Sequence, residues 1–562
     1  MSRQRHSRRS FGVDDPNFLI PSADISLPST QIQSTAGLAT SWQNVGLLGD
    51  TADVDTIVGT AANLRVHPSG SILFGGSAGD YVSTGDSPAA SITGDIELIL
   101  DLELVDRTPS STHTVCAKAK NTSNRAWFAE VYGDGDIGFT SYSGASATGQ
   151  VQVRSTVPSV LIDGARKKLK ITRLMDNGAG GNDTKFYLSD DGITWTQLGD
   201  TLTVYGTTSI FDNDSPVEIG SGFLGTSQVS KCNIYSAEIY DGIDGTLVSR
   251  CDPKDAGQAN GLDGDTFTTV FGGELVTNGD FATDSDWTKG AGWTIAGGKA
   301  IASSASGNLQ IPLLVTAGNT YTVTVELSER TSGSLGRAQI GSVAGPTWAA
   351  TGVGTYTTTI IPVLSGTEIL YIVPTALTGS IDNVSVKQSN TFTLHGNTFA
   401  NNTGHTGVKF LGSAGLETSA GGVTINQPMH IFMVAEADAL TGANQFFLDG
   451  ESDAAATVSL YAVATTDEFR ADAGAALDLA AGDTGIHVWS LAHNGDTSSN
   501  GQVSGTAVAT GTIGTENLDA LSIGLNSAGA LSLQGSMYAL YIFKQRVLPP
   551  PTIERLERFL TP

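Results

Sequence analysis

Alternation of apolar and polar residues dominates the chain. Ile96-Glu-Leu-Ile-Leu-Asp-Leu-Glu-Leu-Val105, Lys168-Leu-Lys-Ile-Thr172 and Tyr321-Thr-Val-Thr-Val-Glu-Leu327 all have the period of two that puts successive side chains on opposite faces of a strand. Between such runs stand turns rich in Gly, Asp and Asn. In Lys185-Phe-Tyr-Leu-Ser-Asp-Asp-Gly-Ile-Thr-Trp195, Asp191-Gly192 predicts a hairpin, because glycine tolerates the positive φ of a tight turn. Helical periodicity is expected only at the end, where Ile553, Leu556 and Leu560 share one face behind the prolines at 549–551. The pattern predicts an all-β protein of antiparallel sandwich or jelly-roll modules in tandem, with an extended N-terminal arm and a short C-terminal helix.

One motif occurs twice. Ile72-Leu-Phe-Gly-Gly-Ser-Ala-Gly-Asp-Tyr-Val-Ser-Thr84 has a counterpart in Val408-Lys-Phe-Leu-Gly-Ser-Ala-Gly-Leu-Glu-Thr-Ser419. Each copy leads to an apolar run, Ile96–Val105 or His430–Ala437. Each ends in a similar pair, Val217-Glu-Ile-Gly with Ile234–Tyr240, or Leu521-Ser-Ile-Gly with Met537–Phe543. Phe74 and Phe410 are expected to open buried strands, with the glycines shaping turns. The expected organisation is an arm (1–34), a sandwich (35–255), a linker (256–271), a different β unit (272–388) and a second sandwich (389–562).

Composition agrees with this and narrows the function. With 562 residues, several cores are expected. Sixty-eight glycines and only 15% charged residues favour turns and strands. A net charge of −26 argues against nucleic acid as the main ligand, because phosphates would be repelled. The basic residues Arg3, Arg5, Arg8 and Arg9 form a separate object, an anchoring arm for a partner protein. No segment is apolar enough to predict a membrane span. Cys116, Cys232 and Cys251 suit neither a disulfide framework nor a zinc site.

The outer units resemble concanavalin A-like, laminin-G-like lectin/glucanase sandwiches of tailed-bacteriophage virion proteins. The residues that carry this are Ser41-Trp-Gln-Asn44, the Phe74 motif, Ser189–Trp195, and Ala539–Phe543 followed by Ile553–Arg558. The middle unit looks like a carbohydrate-binding-module jelly roll, through Asn278-Gly-Asp-Phe281, Trp287, Gly292-Trp293 and Ile381-Asp-Asn-Val-Ser-Val386. That resemblance implies a structural calcium near Glu274 and Asp382, and hard oxygen donors suit such an ion. Capping of the turn into the last strand is the other role open to Asp382.

Aromatic rings stack on sugars, so Trp348, Tyr356 and Tyr371 are candidate carbohydrate contacts, whereas Trp287 and Trp293 are expected in the core. Glu97, Asp101 and Glu103 share a strand face, but their spacing is not that of a laminarinase-type acid pair, and a solvated face is expected. The scattered histidines, His395 and His405 among them, match no metal spacing.

Together the resemblances imply a non-enzymatic protein of the virion surface, in a tail fibre, baseplate or head decoration. It would anchor to other virion proteins through its arm and display glycan-binding modules for host attachment, as a homo-oligomer guessed to be a trimer. A modular polysaccharide-active enzyme and a purely architectural decoration protein are the alternatives.

Overall fold

The computed structural model describes residues 70–254 and 266–395 almost throughout and most of 407–544. Ahead of residue 70 it describes backbone strands at Ile25–Pro28, Ile32–Thr35, Leu38–Trp42, Val54–Gly59 and Leu64–His67. Arg3, Arg5, Arg8 and Arg9 lie outside the described residues. So does the expected C-terminal helix, apart from Ile553, which packs beside Phe432 and Tyr541.

The chain is all-β, and every pairing between strands is antiparallel, in tandem sandwiches. In the first sandwich one sheet runs Val151–Arg154, Ile137–Ser141, Asn124–Val131, His113–Asn121, Val217–Ile219, Tyr81–Thr84. The facing sheet runs Thr196–Gln197, Gly181–Ser189, Arg166–Leu174, Ile96–Leu104, Cys232–Asp241, Ser71–Phe74. Leu98, Leu100, Trp127, Phe139 and Phe186 fill the space between them.

The second sandwich repeats this strand for strand. Its sheets run Ala476–Ala481, Glu468–Ala473, Val458–Val463, Gln445–Asp449, Ser522–Ile523, Ala414–Thr418, and Ala509–Gly511, Ser499–Val503, His487–His493, Met429–Ala437, Gln534–Lys544, Gly407–Leu411.

The two sandwiches exchange strands. Beyond Ser71–Phe74 the first sandwich is extended by Thr398–Asn401, and beyond Tyr81–Thr84 by Phe392–His395, segments that directly precede the second motif. Leu64–His67 and Val54–Gly59, just ahead of the first motif, pair instead with Gly407–Phe410 and Ala414–Thr418 of the second sandwich. Ile25–Pro28, within the stretch expected as an arm, pairs with Ala539–Ile542.

The duplicated motif has a packing cause. Phe74 and Phe410 are fully buried, at or near the ends of their strands rather than the starts. Each ring occupies the space over a glycine with positive φ. A Cβ on Gly220 (φ 87°) would lie 2.5 Å from the Phe74 ring, and one on Gly524 (φ 77°) 2.3 Å from that of Phe410. A buried polar pair is duplicated as well: the Tyr235 hydroxyl donates to Glu103 (2.9 Å) and that of Tyr538 to Glu436 (2.7 Å).

Between the sandwiches lies the jelly roll. Its spine is the long strand Gly366–His395, paired with Lys299–Ala305, Leu309–Val315 and Thr320–Ile340. Trp287 and Trp293 are core residues, as expected, and their indole N–H groups donate to the carbonyls of Asn278 and Gly307. Thr266–Phe271, in the stretch read as a linker, is a strand paired with Gln388–Thr393. Phe267 and Phe392 stack at 5.5 Å and join the core of the first sandwich. A hydrogen bond from Ala89 N to Asn319 Oδ1 (3.1 Å) also links the first sandwich to the jelly roll.

The expected solvated face of Ile96–Leu104 is not solvated. Glu97, Asp101 and Glu103 do share a face, but all are buried, at 3%, 2% and 8% exposure. Asp101 is gripped by Arg166 (2.7 and 2.8 Å) and Lys168 (2.8 Å), and Glu103 by Tyr235 and Asn233. Alternation correctly separates the two faces, yet carries no information on what covers the polar one. The 189–195 hairpin forms as expected: Asp191 accepts from Ser189 Oγ and from the amides of Ile193 and Thr194, which hold its carboxyl down at about 2. The three cysteines are free and buried. Among the described residues no helix is long and apolar enough to cross a membrane.

Candidate functional site

In the strand Asn124–Val131 the residues Trp127, Ala129 and Val131 face the core, so Phe128 and Glu130 point out of the sandwich. Neighbouring strands add Ala117, Ala119, Thr140, Tyr142 and Gln152 to that outer face. The small alanines leave a trough between larger side chains. The loop after Val217–Ile219 then folds back over the sheet. Phe223 and Leu224 both take positive φ there (58° and 57°), and the loop is held by Glu218, which accepts from Leu224 N (2.8 Å), Gly225 N (3.3 Å) and Ser221 Oγ (3.0 Å). Burial pushes the Glu218 carboxyl up to about 7 despite these donors.

The result is a cleft of about 200 Å³, walled by Phe128, Tyr142, Phe223, Arg125, Glu130 and Gln152. Phe128 meets Tyr142 and Phe223 edge to face at 6.2 and 5.5 Å. The Arg125 guanidinium lies over the rings of Tyr142 (5.4 Å) and Phe223 (5.5 Å). Glu130 accepts from the hydroxyls of Tyr132 (2.8 Å) and Thr140 (2.9 Å), and Gln152 Nε2 donates to Tyr132 (2.7 Å). A cleft lined mainly by fixed polar groups over buried rings suits a ligand rich in hydroxyls. The equivalent face of the second sandwich carries Phe446 stacked on Tyr461 (4.8 Å, 13°), with Arg470 bound to Asp478 (2.6 Å).

Sequence reasoning singled out none of these residues. The available signal was the pairing of Phe128 and Glu130 on the face opposite Trp127, but the third wall, Phe223, comes from a distant loop. Of the candidates named from sequence, Trp348 and Tyr356 do come together, with ring centroids 6.1 Å apart. The pair is half-buried against the jelly-roll core, Trp348 Nε1 donating to the Thr357 carbonyl and Tyr356 Oη to that of Gly352. Tyr371 lies on the central strand opposite Gln310 and Gln339.

The Glu274 and Asp382 carboxylates both accept hydrogen bonds from within the jelly roll. Glu274 accepts from Val276 N (3.0 Å), Val386 N (2.8 Å) and Ser385 Oγ (2.6 Å), so both its oxygens clamp the first strand to the last. Asp382 Oδ1 accepts from Asn383 N (2.7 Å). Among the described residues no group of three or more acidic, His or Cys side chains could hold a metal. Treatment with a chelator tests the implied calcium, and an unchanged jelly-roll melting temperature would count against it. A fall of several degrees in calorimetry would show that an ion is bound.

No family model matches the chain, and no curated protein matches it. Among solved structures it is similar to mouse laminin alpha1 chain domains LG4-5 (11% identity, 86% of this chain and 92% of that one, TM-score 0.25). It is also similar to the CBM40 of Ruminococcus gnavus IT-sialidase bound to α2,3-sialyllactose (10%, 30% and 91%, TM-score 0.22) and to Trypanosoma rangeli sialidase (8%, 80% and 93%, TM-score 0.22). At such scores these likenesses carry no argument about function.

Proposed function

We propose that this chain is a non-enzymatic, glycan-binding protein of a phage virion surface, displaying two sandwiches and a jelly roll for attachment. The observation that carries glycan binding is the cleft of the first sandwich, where Arg125, Glu130 and Gln152 present fixed polar groups above a floor of Phe128, Tyr142 and Phe223. A glycosidase needs two carboxyl groups about 5 to 9 Å apart across the bond. Here Glu130 faces the cleft while Glu218 is fully buried and occupied by its loop, an arrangement that favours holding a sugar over cutting it. The virion setting rests on the resemblance of the sandwich and jelly-roll motifs.

A glycan array probed with the full chain tests the binding. Tyr142→Ala, which removes one wall and the hydroxyl that holds Arg125 Nη1, is expected to weaken the signal several-fold. Equal signals from both proteins would remove the cleft from the reading, and release of reducing ends from any bound polysaccharide would make the chain an enzyme. Antibody labelling of purified particles tests the setting, and particles free of the chain would sink it.

A further inference from the structure

We propose that the cleft of the first sandwich selects acidic saccharides, with Arg125 reading a sugar carboxylate. This rests on the glycan-binding reading above and specifies its ligand.

Arg125 is held and yet unspent. Its Nε donates to the Thr122 carbonyl (3.0 Å) and its Nη1 to the Tyr142 hydroxyl (3.3 Å), while the plane of the group rides over two rings. These contacts fix the fork without neutralising it, and Nη2 keeps its donors for a ligand. Neighbouring cations are treated differently. Lys118 meets Asp86, Lys120 meets Asp214, Arg154 meets Asp134 and Arg166 meets Asp101. Arg125 meets no carboxylate among the described residues. Glu130, the acid of the same cleft, accepts instead from the hydroxyls of Tyr132 and Thr140.

The second sandwich supplies an internal control. Its equivalent face also presents aromatic rings and an arginine, but Arg470 is closed by Asp478 (2.6 Å) and Glu468 (3.5 Å). One duplicated face therefore keeps a free positive charge and the other cancels it. In a chain of net charge −26, the cleft sets the Arg125 guanidinium beside Glu130 without an ion pair between them. A planar fork matches a carboxylate with two parallel hydrogen bonds. A uronate or similar acidic sugar offers that carboxylate, and hydroxyls for Gln152 and Glu130.

The test uses the full chain on an array of oligogalacturonate, alginate, hyaluronate and sialyllactose beside neutral counterparts, including methyl-esterified oligogalacturonate and lactose. At least one acidic glycan is expected to bind tenfold or more tighter than its neutral counterpart, with a preference that falls as salt rises. Arg125→Gln is expected to cost the acidic ligand at least tenfold more than it costs the neutral counterpart. Arg125→Lys, which keeps the charge and loses the fork, is expected to fall between. Equal binding of acidic and neutral glycans, or an Arg125→Gln loss that is the same for both, overturns the charge assignment and leaves glycan binding standing. Binding to no glycan at all overturns both.

Discussion

Replacing Gly220 with valine is expected to destabilise the first sandwich by roughly 3–5 kcal/mol, the sum of a strained positive φ for a branched residue and overpacking of a filled core. The Phe74 ring already occupies the site of the new side chain, and Phe74 is fully buried with nowhere to retreat. Phe74→Ala alone is expected to cost about 3–5 kcal/mol through the cavity it leaves. The two changes should not add: with the ring gone the valine has room, so the double variant should be more stable than the sum of the single losses predicts. The same cycle at Gly524 and Phe410 should act on the second sandwich only. Urea unfolding of the full chain, followed as separate transitions because several cores are present, reads all of this. A Gly220→Val loss below about 1 kcal/mol, the scale of an ordinary surface change, would contradict the packing account.

The second large effect is a divergent response to acid. In the second sandwich, burial pulls the His430 imidazole down to about 3 and that of His493 to about 4, both well below the usual histidine range. An unfolded histidine takes up its proton near pH 6.5 and these native ones do not, so the unfolded state binds more protons and stability falls as pH drops. From pH 7.5 to 5 the loss is about 2 kcal/mol per histidine. Asp438, buried against Lys409 and pushed up to about 6, offsets part of that loss by taking up a proton in the native state. In the first sandwich Glu218, pushed up to about 7, binds a proton that the unfolded chain does not hold until near pH 4.3, so stability rises as pH falls through 7. His113, lowered by burial, takes part of that gain back. The expected result in calorimetry is a gap between the two sandwich transitions that differs between pH 7.5 and 5, with the second sandwich losing ground. His430→Phe should reduce the loss and Glu218→Gln should flatten the gain. Transitions that move together, unaffected by either change, would contradict it.

Much of the fold was legible because strands announce themselves by alternation. Ile96–Leu104, Thr320–Leu327 and the 189–195 hairpin follow their local pattern, and Trp287 and Trp293 sit where a motif of that kind needs core residues. Three features were not legible, for one shared reason: each depends on what lies across a sheet rather than along a strand. The polar face of Ile96–Leu104 is buried because Arg166, Lys168 and Tyr235 arrive from other strands to satisfy it. The cleft needs Phe223 from a loop far from Phe128. Thr266–Phe271 sits in a glycine- and aspartate-rich stretch, and its alternation of Phe267, Thr269 and Phe271 gains meaning only against Phe392. Glu274 shows the converse: its type suited an ion, but its surroundings supply amide and hydroxyl donors.

The strand exchange has a consequence for the order in which the protein can be made. On the ribosome, residues 54–67 emerge well before the sheets they belong to, and the first sandwich waits until Thr398–Asn401 has been synthesised before its last edge is covered. The first sandwich cannot close before Thr398–Asn401 has emerged, and residues 54–67 must wait for strands hundreds of residues away, which slows folding through loop-closure entropy. Once both exchanges are complete they tie the two sandwiches to each other. A break in the chain between the motifs would then leave two pieces that still hold each other's strands.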